Sequence, residues 1–161
     1  IPFLLDIWKI VYKHHPDWHL DIYAQGELRD FYLPIIEALN INIHVHAATD
    51  KIFDCYCNSS IFILTSIYEP FGLVLPEAMS CGLPVVSFDC DFGPREIITD
   101  GIDGFLIPLG NIEMFAEKIC LLIENQELRE KLGKAGILSS KRYSPKIIMP
   151  LWKALFEKML L

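Results

Sequence analysis

The sequence predicts an α/β domain: a doubly wound parallel sheet with helices on both faces. Three observations predict it. Short apolar runs alternate with helix-periodic segments along nearly all of the 161 residues. The run Ile61–Thr65 is apolar without interruption, the pattern of a strand buried on both faces of a parallel sheet rather than on one. The connecting segments are short and carry turn residues. The length suits one domain and is enough to bury a sizeable core.

Taken in order, Ile1–Val11 reads as helix interior through Phe3, Leu4, Ile7, Trp8, Ile10 and Val11. No start signal precedes that helix, so the sequence is expected to be cut from a longer protein. His19–Ala24 is a short apolar strand, and Gln25-Gly26 turns the chain into a helix from Glu27, kinked or restarted at Pro34. Ile41–Val45 is the next strand, and Asp50 caps a short helix after it. Beyond the Ile61–Thr65 strand, residues 66–71 form a loop, Gly72–Cys81 a helix and Gly82 its stop. A strand at Pro84–Phe88 tolerates its proline only as first residue. Turn clusters at 99–101 and 102–104 lead to a short strand at Phe105–Ile107. Asn111 then caps an amphipathic helix with Ile112, Phe115, Ala116, Ile119, Leu122 and Ile123 at i, i+3, i+4 spacing. Leu128, Leu132 and Ala135 mark another helix. A last one runs from Pro145 with Ile148, Leu151, Trp152, Leu155 and Phe156 on its apolar side.

Composition narrows the function. The net charge of −7, from 14 basic against 21 acidic residues, leaves no electrostatic footprint for a nucleic acid or other polyanion. The basic residues near the C-terminus read as solvated helix faces. Five cysteines without C-x-x-C spacing read as reduced, mostly buried thiols rather than a zinc site. His44 and His46 share one strand face and read as ordinary strand residues. No apolar run reaches about 18 residues and no signal peptide is visible. The apolar fraction of 52% and mean hydropathy of +0.33 fit either a greasy core or a face normally covered by something else.

In doubly wound sheets, ligands bind beyond the carboxyl ends of the strands. The loops at 25–27, 46–50, 66–72 and 89–94 are expected at that edge. The informative stretch is Ser66–Gly82, SIYEPFGLVLPEAMSCG. Glu69 sits in the loop after the buried strand, and Glu77 follows eight residues later in the helix which that loop feeds. Phe71, Gly72 and Leu73 are expected in the first helical turn, where backbone N–H groups lack partners and carry the positive end of the helix dipole. A diphosphate can sit there, with Gly72 allowing close approach to the backbone. Glu77 can accept hydrogen bonds from ribose hydroxyls, and Glu69 lies nearer the sugar.

EPFGLVLPE followed by AMSCGLPVV resembles the E-x7-E signature of family-4 (group 1) retaining glycosyltransferases. The similarity continues through Phe88-Asp89, Gly93-Pro94, Glu96-Ile97-Ile98, Asp100-Gly101 and Gly104-Phe105 and covers nearly the whole chain. The GPREII segment is most similar to members that build capsular or surface polysaccharides. The resemblance implies a Rossmann-like, C-terminal half of a GT-B fold, with residues 1–161 as one nucleotide-sugar-binding domain of a two-domain enzyme. By motif position, Glu69 would contact the donor sugar as the catalytic carboxylate. Pro70, Phe71, Gly72 and Leu73 would meet the sugar and diphosphate, Glu77 the ribose, Ala47 and Thr49 the base, and Gly26 the phosphates. The implied reaction is retaining transfer, without metal or other cofactor, from a nucleotide sugar with UDP as the default. The acceptor would be a saccharide or a lipid-linked molecule. The implied location is cytoplasmic, with room for peripheral contact at the inner face of the membrane.

Three departures matter. The family's first strand of this domain, bearing an Arg and a Lys that neutralise the diphosphate, is expected before Ile1. The acceptor-binding domain is likewise expected upstream, and Ala47 stands where glycine is usual. Without that central strand, unpaired edges would invite dimerisation or strand exchange. Two rival readings are a non-catalytic sugar-nucleotide-binding module and another enzyme of the same architecture, such as a sugar-nucleotide epimerase.

Overall fold

The computed structural model describes residues 1–159, with the side chain of Leu28 left aside. Among the described residues every strand pairing is parallel, and each of the five strands follows a helix. In order the elements are α1 (Pro2–His14), β1 (Leu20–Tyr23), α2 (Glu27–Leu39), β2 (Ile43–His46), α3 (Ile52–Cys57), β3 (Phe62–Leu64) and α4 (Val74–Ser80). There follow β4 (Val85–Asp89), α5 (Pro94–Ile97), β5 (Gly104–Pro108), α6 (Ile112–Glu124), α7 (Gln126–Ser140), a 3₁₀ turn (Lys141–Tyr143) and α8 (Pro145–Met159). The expected α/β architecture is therefore present.

The strands form two sheets, β1-β2 and β3-β4-β5. In the second, β4 lies in the middle, with Val85 opposite Gly104 and Phe62 opposite Val85. Its side chains alternate between two cores. Val86 and Phe88 join Ile7, Trp8 and Val11 of α1 and Phe115, Ile119 and Leu122 of α6. Val85 joins Leu75 and Met79 of α4 and Ile97 of α5 on the other face. Helices thus cover both sides of the sheet. The Phe88 ring sits edge-on to both Phe3 (5.4 Å between centroids) and Phe115 (4.9 Å), a favourable arrangement for the ring quadrupoles. The smaller sheet is fastened to α1 by Trp8, whose indole Nε1 donates to the Asn42 carbonyl at 3.1 Å.

Local chemistry explains most boundaries. Asn111 accepts from the Met114 amide and Asn125 from the Leu128 amide, so α6 and α7 each begin on a side-chain cap. At the end of α4, the Gly82 and Leu83 amides donate to Met79 and Ala78 carbonyls, the paired bonds of a Schellman stop.

Several expectations need correction. The first helix does have a start signal, because Pro2 stands at its first position, where the missing N–H costs nothing. Lys51, not Asp50, precedes α3, and the side chain of Thr49 accepts its amide at 3.1 Å. The helix expected from Gly72 starts at Val74, since Gly72 holds φ at +86° and cannot be helical. β3 is only half-buried rather than fully buried, because one flank faces a cavity of about 750 Å³ that separates it from β1. The cysteines are all free, but only Cys90 is buried and Cys57 is exposed. On α8, Ile147, Met149, Leu151, Trp152, Leu155 and Phe156 are exposed, and no residue of that helix is buried. The apolar surplus therefore lies partly on an uncovered helix. Among the described residues, no helix is long and apolar enough to cross a membrane.

Candidate functional site

The carboxyl ends of β1, β2, β3 and β4 open onto the loops that carry Gly26, Ala47 and Thr49, residues 65–73, and residues 90–93 respectively. All the candidate residues except Glu77 lie on these loops, and Glu77 sits in the first turn of α4. The candidates therefore follow the carboxyl ends of strands from both sheets rather than one.

The 65–73 loop is tightly held. Ser66 donates its hydroxyl to Glu69 Oε2 at 3.3 Å, which turns the carboxylate back over the loop. A Cβ placed on Gly72 would lie 3.1 Å from Glu69 Cγ, so the carboxylate arm runs directly beside that glycine. Beneath the loop, a Cβ on Gly93 would fall 2.5 Å from the Phe71 carbonyl oxygen and 2.7 Å from that of Glu69. Only a residue without a side chain lets the turn before α5 support the loop that closely. Phe71 packs edge-on to Tyr143 with centroids 5.4 Å apart, and Tyr143 donates its hydroxyl to the Glu96 carbonyl at 3.0 Å.

The segment Gly72–Val74 carries the anion-binding potential. The Leu75 and Glu77 amides are already bonded to the Gly72 and Leu73 carbonyls, and Pro76 has none. The amides of Gly72, Leu73 and Val74 meet no protein acceptor among the described residues. Expected inside the first helical turn, the free donors instead belong to the left-handed turn at Gly72 and the very start of α4. Phe71 and Leu73 stand exposed beside them.

Glu77 is half-buried. Tyr56 on α3 donates its hydroxyl to Glu77 Oε2 at 3.3 Å. Burial, followed by the nearby Glu77 charge and that hydrogen bond, pushes the Tyr56 phenol well above its ordinary range. Glu77 and Thr49 line the same cavity of about 750 Å³. That cavity joins the ribose and base candidates from two different strands, but its walls include neither Gly26 nor Ala47. Those two are exposed on their own loops, and nothing packs within 4 Å of a Cβ on Gly26. On the Glu69 side, burial pushes the Cys90 thiol up, and the charges of Glu69 and Asp89 add to the shift.

Sequence reasoning missed Tyr56, Ser66 and Tyr143 as supports of the carboxylates and of Phe71. The signal for Gly93 was present in Gly93-Pro94, whereas an isolated tyrosine in a short helix offers no pattern.

The family model for glycosyl transferases group 1 matches residues 1–138. Amylovoran biosynthesis glycosyltransferase AmsD of Erwinia amylovora is 34% identical over 151 residues, covering 92% of this chain and 42% of that protein. An uncharacterized glycosyltransferase of Haemophilus influenzae is 34% identical, over 95% of this chain and 44% of that protein. Among solved structures, S. aureus TarM in complex with UDP superposes with a TM-score of 0.90 at 31% identity, over 96% of this chain and 32% of that chain. Pneumococcal GtfA in complex with UDP and GlcNAc gives 0.87 at 27%, over 99% of this chain and 33% of that one. The chain thus spans less than half the length of these relatives. By motif, fold and family match together, the chain belongs to the glycosyl transferases group 1.

Proposed function

We propose that this chain is the donor-binding half of a retaining glycosyltransferase. It holds a UDP-sugar for transfer to a saccharide or lipid-linked acceptor in surface polysaccharide synthesis. The observation that carries the reading is the sequence of groups Glu69, three unpartnered amides at Gly72–Val74, and Glu77 in a helix lining the cavity shared with Thr49. The diphosphate is assigned to these amides, since free N–H donors at a helix start favour a negative charge. Glu77, held by Tyr56, accepts from the ribose hydroxyls, and Thr49 faces the base. Glu69 orients the sugar and stabilises positive charge as the bond to the leaving phosphate breaks and the acceptor attacks from the same face. No metal is needed where the amides, together with cations from elsewhere in the protein, take the leaving charge. The solved structures of TarM and GtfA, which contain UDP, support the choice of nucleotide, and AmsD supports the polysaccharide role.

The reading includes a two-domain parent enzyme in which these residues are the donor domain. The separation of β1 from β3 supports it. Residues of β1 and β3 face each other across a cavity of about 750 Å³ instead of pairing. A further parallel strand of the same polypeptide is proposed between them, bringing basic residues to the diphosphate and leaving the part of the cavity beside Thr49 and Glu77 to the nucleoside. Helix-terminus donors supply roughly 0.3–1 kcal/mol per charge, whereas even millimolar affinity requires about 4 kcal/mol. The isolated 161 residues are accordingly expected to bind nucleotide sugar weakly and to transfer nothing.

The test is a pair of variants in the chain joined to its acceptor domain. Glu77→Gln should raise the donor KM, and Glu69→Gln should chiefly lower kcat. Equal and negligible effects in both would remove the assignment.

A further inference from the structure

We infer that β1 and β2 together present a zinc-binding site, built from residues other than the carboxylates that grip the donor, with His19 and Asp21 lining the same cavity as Glu77. The register places Asp21 opposite His44 and Tyr23 opposite His46. Because side chains alternate along a strand, Leu20, Ile22, Ile43 and Val45 turn to the apolar core. His19, Asp21, His44 and His46 meet on the opposite face. Three imidazoles thus converge on one carboxylate. His19 Nε2 lies 3.2 Å from Asp21 Oδ2, His44 Nδ1 lies 3.6 Å from Oδ1, and His46 Nε2 lies 2.6 Å from Oδ1.

The roles follow from those distances. A donor atom from each of His19, Asp21 and His44 lies within 4.8 Å of the other two. Zinc bonds of about 2.0–2.1 Å in a tetrahedron put neighbouring donors roughly 3.4 Å apart. The His19 and His44 side chains are 57% and 56% exposed, so both rings are free to rotate inward by the difference. They already lie nearly parallel, with centroids 5.3 Å apart. His46 is too close to Oδ1 to share the ion with it. Its short hydrogen bond instead fixes the carboxylate and leaves Oδ2 for the metal, the usual support given to a ligating carboxylate. Tyr23 stacks on the His46 ring at 4.7 Å and 18° and holds that support in place. Two imidazoles and one carboxylate suit zinc by ligand type, with water as the fourth ligand. Bound there, the ion links the end of β1 to β2 across the ladder and steadies the smaller sheet.

Zinc titration calorimetry on the purified chain tests this, paired with a melting curve with and without zinc. The expected result is saturable one-to-one binding and a raised Tm. The double variant His19→Ala/His44→Ala should bind at least tenfold more weakly and lose the Tm shift. His46→Ala, which removes only the support, should weaken binding roughly 10–100-fold. Since thiols also bind zinc and Cys57 is exposed, Cys57→Ser serves as the control and should bind as the unaltered chain does. The His19 and His44 side chains are more than half exposed, His46 is 42% exposed and Cys57 is exposed, so circular dichroism should show intact folds. No saturable binding, undiminished binding by the double histidine variant, or loss in Cys57→Ser instead would overturn the site.

Discussion

Gly93→Ala tests how the loop that carries Glu69 is positioned. Gly93 has φ +68° and ψ −88°, a backbone conformation strained for any residue with a side chain. An added Cβ would lie 2.5 Å from the Phe71 carbonyl oxygen and 2.7 Å from that of Glu69, so the loop must recede by roughly 0.9 Å to reach an ordinary contact of 3.4 Å. The left-handed backbone costs about 1–2 kcal/mol and the overpacking about 1–3 kcal/mol. The expected loss is about 3 kcal/mol, or a Tm lower by roughly 10 °C for a domain of this size. Displacing a positioning group by about 1 Å costs on the order of a hundredfold in turnover. Melting curves on the chain and kcat in the enzyme joined to its acceptor domain give both readings. Gly101→Ala is the control, because its φ is +73° but its Cβ would meet nothing within 4 Å. Equal effects of the two substitutions would show that Gly93 is not the seat of the loop.

Tyr56→Phe removes the hydrogen bond to Glu77 and is expected to cost about 0.5–1.5 kcal/mol at neutral pH, with a higher donor KM. The folded state holds the Tyr56 proton more tightly than the unfolded chain does. The native protein therefore loses stability as pH rises above about 10, and the gap to Tyr56→Phe should close there in denaturant titrations. Asp103 is 1% exposed and accepts from the Thr99 amide at 2.7 Å and the Ser139 hydroxyl at 2.5 Å. Asp103→Ala should cost roughly 2–4 kcal/mol by leaving those donors unpaired, read as a lower urea midpoint, with donor affinity in the joined enzyme unchanged.

The layered architecture was legible because its physics is local. β4 sits between two helical layers and is legible from Val85, Val86 and Phe88 following the Gly82 stop, and α6 carries its periodicity and its Asn111 cap together. The break between β1 and β3 was expected only through the family resemblance and not from the strands' own residues, since unpaired edges arise from what neighbours a strand. For the same reason Ile61–Thr65 read as doubly buried, whereas β3 borders a cavity. The start of α4 was misplaced because glycine at a helix entrance is compatible with either a first turn or a left-handed approach, and only the backbone angle decides. α5, four residues long, is too short to show a period. The candidate site was legible in Glu69, Gly72 and Glu77 through their spacing. Their supports Tyr56, Ser66 and Tyr143 come from contacts between segments and leave no mark on spacing. The convergence of His19, Asp21 and His44 depends on the β1–β2 register, which the spacing of His44 and His46 alone does not reveal.

The central claim is that unpartnered amides between two carboxylates receive the diphosphate of the donor. Backbone amide NMR of this chain titrated with UDP reads those groups one by one and tolerates weak binding. The account predicts the largest shifts at Gly72, Leu73 and Val74, with smaller ones at Glu77 and Thr49, and loss of the Glu77 response in Glu77→Gln. Shifts confined to other parts of the surface, with those three amides unmoved at saturation, would contradict it.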